Sequence, residues 1–163
     1  MILTIIKIII FIVLVWFFLA NVLGYILLPN FLFKTRIRKN KELEKVANKL
    51  KSKNKKETLK KIYDYVNSRY FGVEQKFKLI IIPRLFRLDI ENLLKEKNLF
   101  LACHVQNNII RTLLINSGQF KEKDIQKRGG LTGWLTIHQY LKVRVDKKMF
   151  KIDPFYNIFK EVV

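Results

Sequence analysis

The chain contains little cysteine, histidine, proline and glycine: one Cys, two His, three Pro and six Gly among 163 residues. A single cysteine excludes a disulfide scaffold and a cysteine-rich zinc site, and two histidines exclude most histidine-based metal cages. Acidic residues are also few, because 13 Asp and Glu oppose 32 Lys and Arg, which gives a net charge of +19. Half of the chain is hydrophobic, and this abundance excludes intrinsic disorder.

Charge is almost absent from the first part of the chain. Residues 1–33 contain one charged residue, Lys7, and residues 8–28 contain none. As a helix the uncharged stretch would be roughly 31 Å long, which is enough to cross the hydrocarbon core of a bilayer. Bulky Phe18, two positions before Ala20, disfavours a signal-peptide cleavage site. We therefore predict a retained transmembrane helix in an anchor of residues 1–33, rather than a cleaved signal or a buried soluble helix.

Basic residues accumulate directly after the apolar stretch. Residues 34–61 contain 13 Lys or Arg and three Glu. Because the cytoplasmic flank of a transmembrane helix is the one richer in Lys and Arg, we expect a single-pass membrane protein whose C-terminal domain is cytoplasmic. We expect residues 34–57 to form a basic juxtamembrane segment. Either this segment is attracted to the bilayer and its anionic headgroups, or it is simply a solvated lysine-rich face. Nucleic acid is a disfavoured partner, because no recognition motif accompanies the charge.

The remaining residues, 58–163, are predicted to form an α+β domain in which helices precede strands. Helical periodicity, with Thr58 as a cap and Gly118 as a stop, predicts helices over residues 41–50, 58–70, 89–95 and 102–117. Apolar runs and alternation predict strands over residues 77–82, 135–145 and 149–153. The polar stretch between residues 121 and 133 is predicted to be a loop.

Three residues of this domain together indicate thiol chemistry. Cys103, the only cysteine, lies near the start of a predicted helix, and His138 and Asp153 lie in consecutive predicted strands. A helix N-terminus favours the thiolate, an imidazole can accept and return its proton, and a carboxylate can orient the imidazole. We predict a Cys103–His138–Asp153 triad whose thiol pKa is below the ordinary value of about 8.5. The alternative is a core cysteine, a surface histidine and a turn aspartate. His104 is set aside because it points about 100° around the helix from Cys103.

Strand parity decides whether His138 and Asp153 share a face. A two-residue turn at positions 146–147 pairs Val145 with Lys148 and leaves Asp153 diagonal to His138 on the same face. A three-residue turn would put the two side chains on opposite faces. Neither Gly nor Asn is available to supply a positive φ, so we expect a strained turn or a compensating bulge.

The same residues resemble the transglutaminase-like core of the papain-like superfamily. The resemblance covers roughly residues 58–155 and rests on Cys103 at a helix start, on His138-Gln-Tyr-Leu-Lys-Val and on Ile152-Asp153-Pro154. It implies N-terminal helices, a central helix that bears the cysteine, and an antiparallel sheet. It also implies that Cys103 is the nucleophile, His138 the general base and acid, and Asp153 the residue that orients the histidine.

By this resemblance, the chain is expected to be a membrane-anchored thiol enzyme acting on peptide or protein amides. Acyl transfer or hydrolysis would proceed through the triad, with protease-like hydrolysis favoured; no cofactor and no metal are expected. The sequence departs from the family at Leu101, where glycine is common, and at Gln139 and Tyr140, which replace a small residue and Trp. The alternative is a catalytically inactive transglutaminase-like interaction module, tethered at the membrane by its basic surface.

Overall fold

The computed structural model describes residues 2–31, 33–72, 82–131 and 137–162. The helices are α1 (Ile2–Phe17), a π-helix (Phe18–Leu23), α2 (Gly24–Leu27), α3 (Lys41–Leu50), α4 (Lys55–Asn67), α5 (Ile82–Leu85), α6 (Ile90–Leu93) and α7 (Cys103–Asn116). The strands are β1 (Tyr70–Phe71), β2 (Leu99–Phe100), β3 (Ile125–Leu131), β4 (Ile137–Val145), β5 (Lys148–Asp153) and β6 (Ile158–Val162). Short 3₁₀ turns cover Glu122–Asp124 and Pro154–Tyr156. The predicted α+β class is confirmed.

The apolar N-terminal segment is helical but is not one uniform helix. The α1 helix, the π-helix and α2 follow one another directly, and no residue of α1 is buried. Residues 8–28 were expected to form a single membrane-spanning helix, but at Phe18 the regular hydrogen bonding gives way to the wider π pattern. Across the described ranges, no individual helix has both the length and the apolar character needed to cross a membrane.

Asparagine caps begin the two helices that follow. The Asn40 side chain accepts a hydrogen bond from the Leu43 amide at 2.8 Å, and α3 has the predicted bounds. The α4 helix begins earlier than predicted because Asn54, not Thr58, is its cap. Thr58 is instead buried inside the helix, where its hydroxyl bonds to backbone groups of Ser52 and Asn54. This helix ends at Asn67, short of the predicted residue 70.

The core lies between helices α3, α4 and α7 and the inner face of the sheet. Its fully buried side chains include Leu59, Ile62, Ile109, Leu113, Leu141, Val143 and Ile152. Burying each such side chain stabilises the fold by about 1.5–3 kcal/mol. The central helix α7 ends at Asn116, just before the predicted stop Gly118, whose φ of +73° is strained for residues with a Cβ atom.

The four strands β3-β4-β5-β6 form one antiparallel sheet, and β1 pairs with β2 in a separate parallel ladder. The loop predicted over residues 121–133 is wrong for Ile125–Leu131, which pair with β4 from Ile125↔Val143 to Leu131↔Ile137. Backbone pairing with β4 outweighs the weak strand propensity of Gly129 and Gly130. The strand predicted over residues 77–82 lies outside the described residues, except that α5 begins at its last position. The helix predicted over 89–95 is confined to Ile90–Leu93.

The β4–β5 hairpin has the register that the triad requires. Val145 pairs with Lys148 and Leu141 with Ile152, so the connection is the two-residue turn. Asp146 carries the strain, with φ at +54° in the left-handed region that aspartate tolerates better than most residues. The parity prediction, including its strained turn, is therefore confirmed.

Candidate functional site

His138 and Asp153 are joined by a short hydrogen bond across the β4–β5 hairpin. The Nε2 atom of His138 lies 2.7 Å from Oδ2 of Asp153. Because a carboxylate oxygen accepts, Nε2 carries the proton and Nδ1 is left with a lone pair. The two residues are only 8% and 1% exposed. The hydrogen bond therefore holds the imidazole in the tautomer that a general base needs.

Cys103 is the first residue of α7, one position after the predicted helix start, and follows the N-cap Ala102. Its sulfur faces the backbone N–H group of Gln139, the residue after His138, and the N–H groups of Cys103 and His104 at the helix start. The α7 N-terminus, β4 and the end of β5 thus meet at one place. The three predicted site residues all belong to this junction, and Cys103 itself is 7% exposed.

The protonation state of the thiol differs from the sequence expectation. Burial, together with the negative charge of Asp153, raises the pKa of Cys103 to about 12. The N–H groups of Gln139, His104 and Cys103 act in the opposite direction but do not compensate for the lost hydration. The lowered pKa predicted from the helix N-terminus is therefore wrong for this closed site. At neutral pH the sulfur carries its proton, and nucleophilic chemistry requires a base to remove it.

Two aromatic rings from the 3₁₀ turn after β5 enclose the imidazole. The ring centroids of Phe155 and Tyr156 lie 5.5 Å and 4.7 Å from that of His138. Phe155 comes so close to Gly72 that a Cβ atom there would lie 2.5 Å from its ring. Only glycine therefore fits at the end of β1 without displacing a ring that contacts the histidine.

A buried asparagine fixes the strand that carries His138 to the helix that carries Cys103. Asn107, one turn after Cys103, donates from Nδ2 to the carbonyl oxygen of Gln139 at 2.8 Å. The same helix also uses Gln106, which donates to the Leu101 carbonyl oxygen at 2.7 Å. The sequence reasoning did not identify Asn107, although its i+4 spacing from Cys103 puts both on one helix face.

The turn that follows α2, residues 28–31, is attached to the same junction; we call it the juxtamembrane turn. Asn30 is buried and donates to the His104 carbonyl oxygen at 3.2 Å. Its own carbonyl oxygen accepts from Gln139 Nε2 at 2.9 Å and from Lys127 Nζ at 2.8 Å. The residues immediately after Cys103 and after His138 are thus both bonded to Asn30. Burial, with the nearby charges of Arg111 and Lys34, lowers the pKa of Lys127 to about 8.

His104, which the sequence analysis set aside as a site residue, makes local contacts outside the triad. Its Nε2 donates to the Leu85 carbonyl oxygen at 2.7 Å, and its ring packs on Phe31. Burial lowers its pKa, so it stays neutral at physiological pH. Within the described ranges, no three or more His, Cys, Asp or Glu side chains come together in a way that could hold a metal ion.

Comparison with known proteins gives no relative from which a function could be transferred. No protein-family model matches the chain, and neither a curated protein nor a solved structure is significantly similar to it. The function has to be argued from the geometry of this junction.

Proposed function

We propose that this chain is a membrane-anchored thiol enzyme with a transglutaminase-like core, which hydrolyses or transfers the acyl group of a peptide or protein amide. The observation that carries the proposal is the 2.7 Å hydrogen bond between His138 and Asp153, at a junction that also contains the only cysteine. A buried histidine with only a structural role would not need a buried carboxylate hydrogen-bonded to its Nε2 atom. A histidine that alternates between neutral and charged forms does, because the carboxylate stabilises the imidazolium.

The reaction follows from the protonated state of the thiol. As the sulfur of Cys103 attacks the amide carbonyl carbon, its proton passes to Nδ1 of His138 and a tetrahedral intermediate forms. The carbon–nitrogen bond then breaks, the proton moves from His138 to the departing amine, and a thioester remains. Water attacks the thioester with His138 as the base, which releases the acid and restores the thiol. An amine in place of water would give transamidation; we favour water.

The N-terminal segment supplies the anchor in this proposal. Large apolar side chains along α1 are mostly half exposed or more, for instance Phe11 at 67% and Trp16 at 64%. An exposed apolar surface of this size is unstable in water and is matched by lipid. The basic residues that follow support a cytoplasmic domain in a single-pass protein.

The experiment uses the full chain in nanodiscs of zwitterionic lipid. An activated ester is mixed with the protein, and the acyl adduct is located by mass spectrometry; a panel of peptide amides then tests turnover. We expect a thioester on Cys103 that is absent in Cys103→Ala and at least 100-fold slower to form in His138→Ala. His104→Gln is the matched control, since it alters the other histidine. Equal acylation of the His138→Ala and control proteins would disprove the base role.

One observation favours a second candidate function, an inactive interaction module. All three site residues are nearly inaccessible, and burial keeps the thiol protonated. In that case His138 and Asp153 would only stabilise the hairpin. The chain would then form no acyl adduct with any ester, and Cys103→Ala would leave binding of its partner unchanged.

A further inference from the structure

A groove of about 970 Å³ lies on another part of the surface, between the segment after the juxtamembrane turn and helices α3, α6 and α7. None of Cys103, His138 and Asp153 lines it. Its rim carries the positive side chains Arg36, Arg38 and Lys39, and its walls include Ile37, Leu88 and Ile115. The groove therefore combines cations with apolar surface, which is the pattern that an anionic amphiphile requires.

The three cations are available to a ligand. In the described part of the chain, no carboxylate forms an ion pair with any of the three. The one acidic side chain of the groove, Glu91, accepts a hydrogen bond from Asn40 at 2.7 Å. Three positive charges against one negative charge leave a net attraction for an anion. Two arginines with planar guanidinium groups suit a phosphate better than lysines alone.

The backbone that carries these cations is held in place. Arg111 on α7 donates to the Thr35 carbonyl oxygen at 2.9 Å, and Asn116 donates to the Arg38 carbonyl oxygen at 3.1 Å. Residues 34–40 contain no regular structure, yet both ends of the basic stretch are tied to the most buried helix. The rim is therefore a fixed arrangement of charges rather than a mobile basic tail.

The position of the groove along the chain indicates the source of the ligand. Arg36 is nine residues after Leu27, the last residue of α2, so the rim is at most about 30 Å from the end of the apolar segment. If that segment is in a bilayer, as the proposed function has it, the groove lies within reach of the headgroup layer. Free phosphate would not contact the apolar walls, whereas a phospholipid would contact both the cations and the walls.

We propose that this groove binds an anionic phospholipid, with the phosphate between Arg36, Arg38 and Lys39 and part of an acyl chain against Ile37, Leu88 and Ile115. The proposal rests on the membrane-anchored part of the proposed function and not on its chemistry. Lipid binding and acylation of Cys103 are separate readouts, and Cys103→Ala is expected to keep the first and lose the second.

The test is native mass spectrometry of the full chain in a neutral detergent, titrated with a short-chain phosphatidic acid. We expect one lipid to bind. Neutralising the rim with Arg36→Gln, Arg38→Gln and Lys39→Gln should weaken binding at least tenfold. The matched control neutralises three exposed lysines of the same basic segment outside the groove, with Lys49→Gln, Lys51→Gln and Lys53→Gln, and should change binding less than twofold. Equal losses of lipid affinity in the two variants would mean that the basic surface attracts the lipid diffusely, and would disprove binding in the groove.

Two further measurements distinguish binding of the whole lipid from binding of phosphate alone. Inorganic phosphate should bind at least tenfold more weakly than the short-chain phosphatidic acid, and a short-chain phosphatidylcholine should not compete. Leu88→Gln, at a side chain that is already 45% exposed, removes apolar surface without adding charge and should weaken binding of the lipid but not of phosphate. If phosphate binds as tightly as the lipid, or if Leu88→Gln weakens both equally, the site is a phosphate site and the lipid assignment is wrong.

Discussion

Helices α1 and α7 have similar lengths but opposite degrees of burial. The α1 helix is almost entirely apolar, and none of its residues is buried. The α7 helix carries two asparagines, a glutamine and an arginine in its middle, and 13 of its 14 residues are buried. Each of those polar side chains has a hydrogen-bond partner in the protein. Burial of α7 thus accompanies hydrogen-bond partners within the protein rather than hydrophobicity, whereas the more hydrophobic α1 has no buried residue.

The largest effect is expected at the N-terminus of α7, where buried polar groups are proposed to do chemistry. Asp153→Asn keeps the size of the side chain but lets the histidine adopt the wrong tautomer. We expect acylation of Cys103 to slow by about 10³-fold or more, with the fold intact. Pre-steady-state acylation with an activated ester measures the rate. Asp124→Asn, in the exposed 3₁₀ turn before β3, is the charge-matched control, and a rate equal to that control would remove Asp153 from the mechanism.

A charge placed in α1 tests whether its exposed apolar surface lies in lipid. Phe11→Asp should cost about 2.5–3.5 kcal/mol of insertion free energy if the middle of α1 is at the bilayer centre. The membrane-bound fraction after carbonate extraction should fall accordingly, by roughly 100-fold in partition ratio. Phe86→Asp, at another exposed phenylalanine (50% exposed), should leave the membrane fraction unchanged. A fully retained Phe11→Asp protein would contradict a lipid-facing α1.

Removal of one partner should show what buried polarity contributes to α7. Asn107→Ala leaves the Gln139 carbonyl oxygen buried without its donor, and the unfolding free energy should fall by about 1–3 kcal/mol. Asn48→Ala, on the exposed face of α3, removes an asparagine side chain that is in water. It should change the unfolding free energy by less than about 0.5 kcal/mol. Urea denaturation in detergent gives both values. Similar losses at the two positions would mean that the hydrogen bond to Gln139 is not special.

The smallest expected effect is a pH dependence from His104, also on α7. Burial lowers its pKa in the folded state, so the folded protein binds fewer protons there than the unfolded protein does. Its contribution to stability is thus fully present above the unfolded pKa of about 6.5 and is lost as the pH falls below that value. Urea midpoints at neutral and mildly acidic pH should differ less in His104→Gln than in the parent. An unchanged pH dependence would contradict the lowered pKa.

Local signals were sufficient for part of this fold. The predicted bounds of α3 are right, and the predicted stop Gly118 lies just after the end of α7. The His138–Asp153 hydrogen bond follows from strand parity and one turn length. The start of α4 was predicted too late because Thr58 was expected to be its cap, whereas Asn54 caps the helix and Thr58 lies inside it.

Long-range partners explain what sequence reasoning missed. The β3 strand contains two glycines and forms because β4 pairs with it. The pKa of the Cys103 thiol was predicted to lie below its ordinary value, but it lies above it. The cause is the loss of hydration on packing, which hydrophobic periodicity does not reveal. Asn107 and Asn30 carry no local signal that marks them as buried. Only the tertiary structure shows which of them are buried.

The juxtamembrane turn has a consequence for how the protein is made. Asn30 emerges early from the ribosome, whereas its partners at positions 104 and 139 follow 74 and 109 residues later. Contacts with such a large sequence separation form slowly and late. The junction of Cys103 and His138 can therefore close around Asn30 only after residues 104 and 139 have both been made. Until then Cys103 lacks the Gln139 N–H group that its sulfur faces in the folded protein.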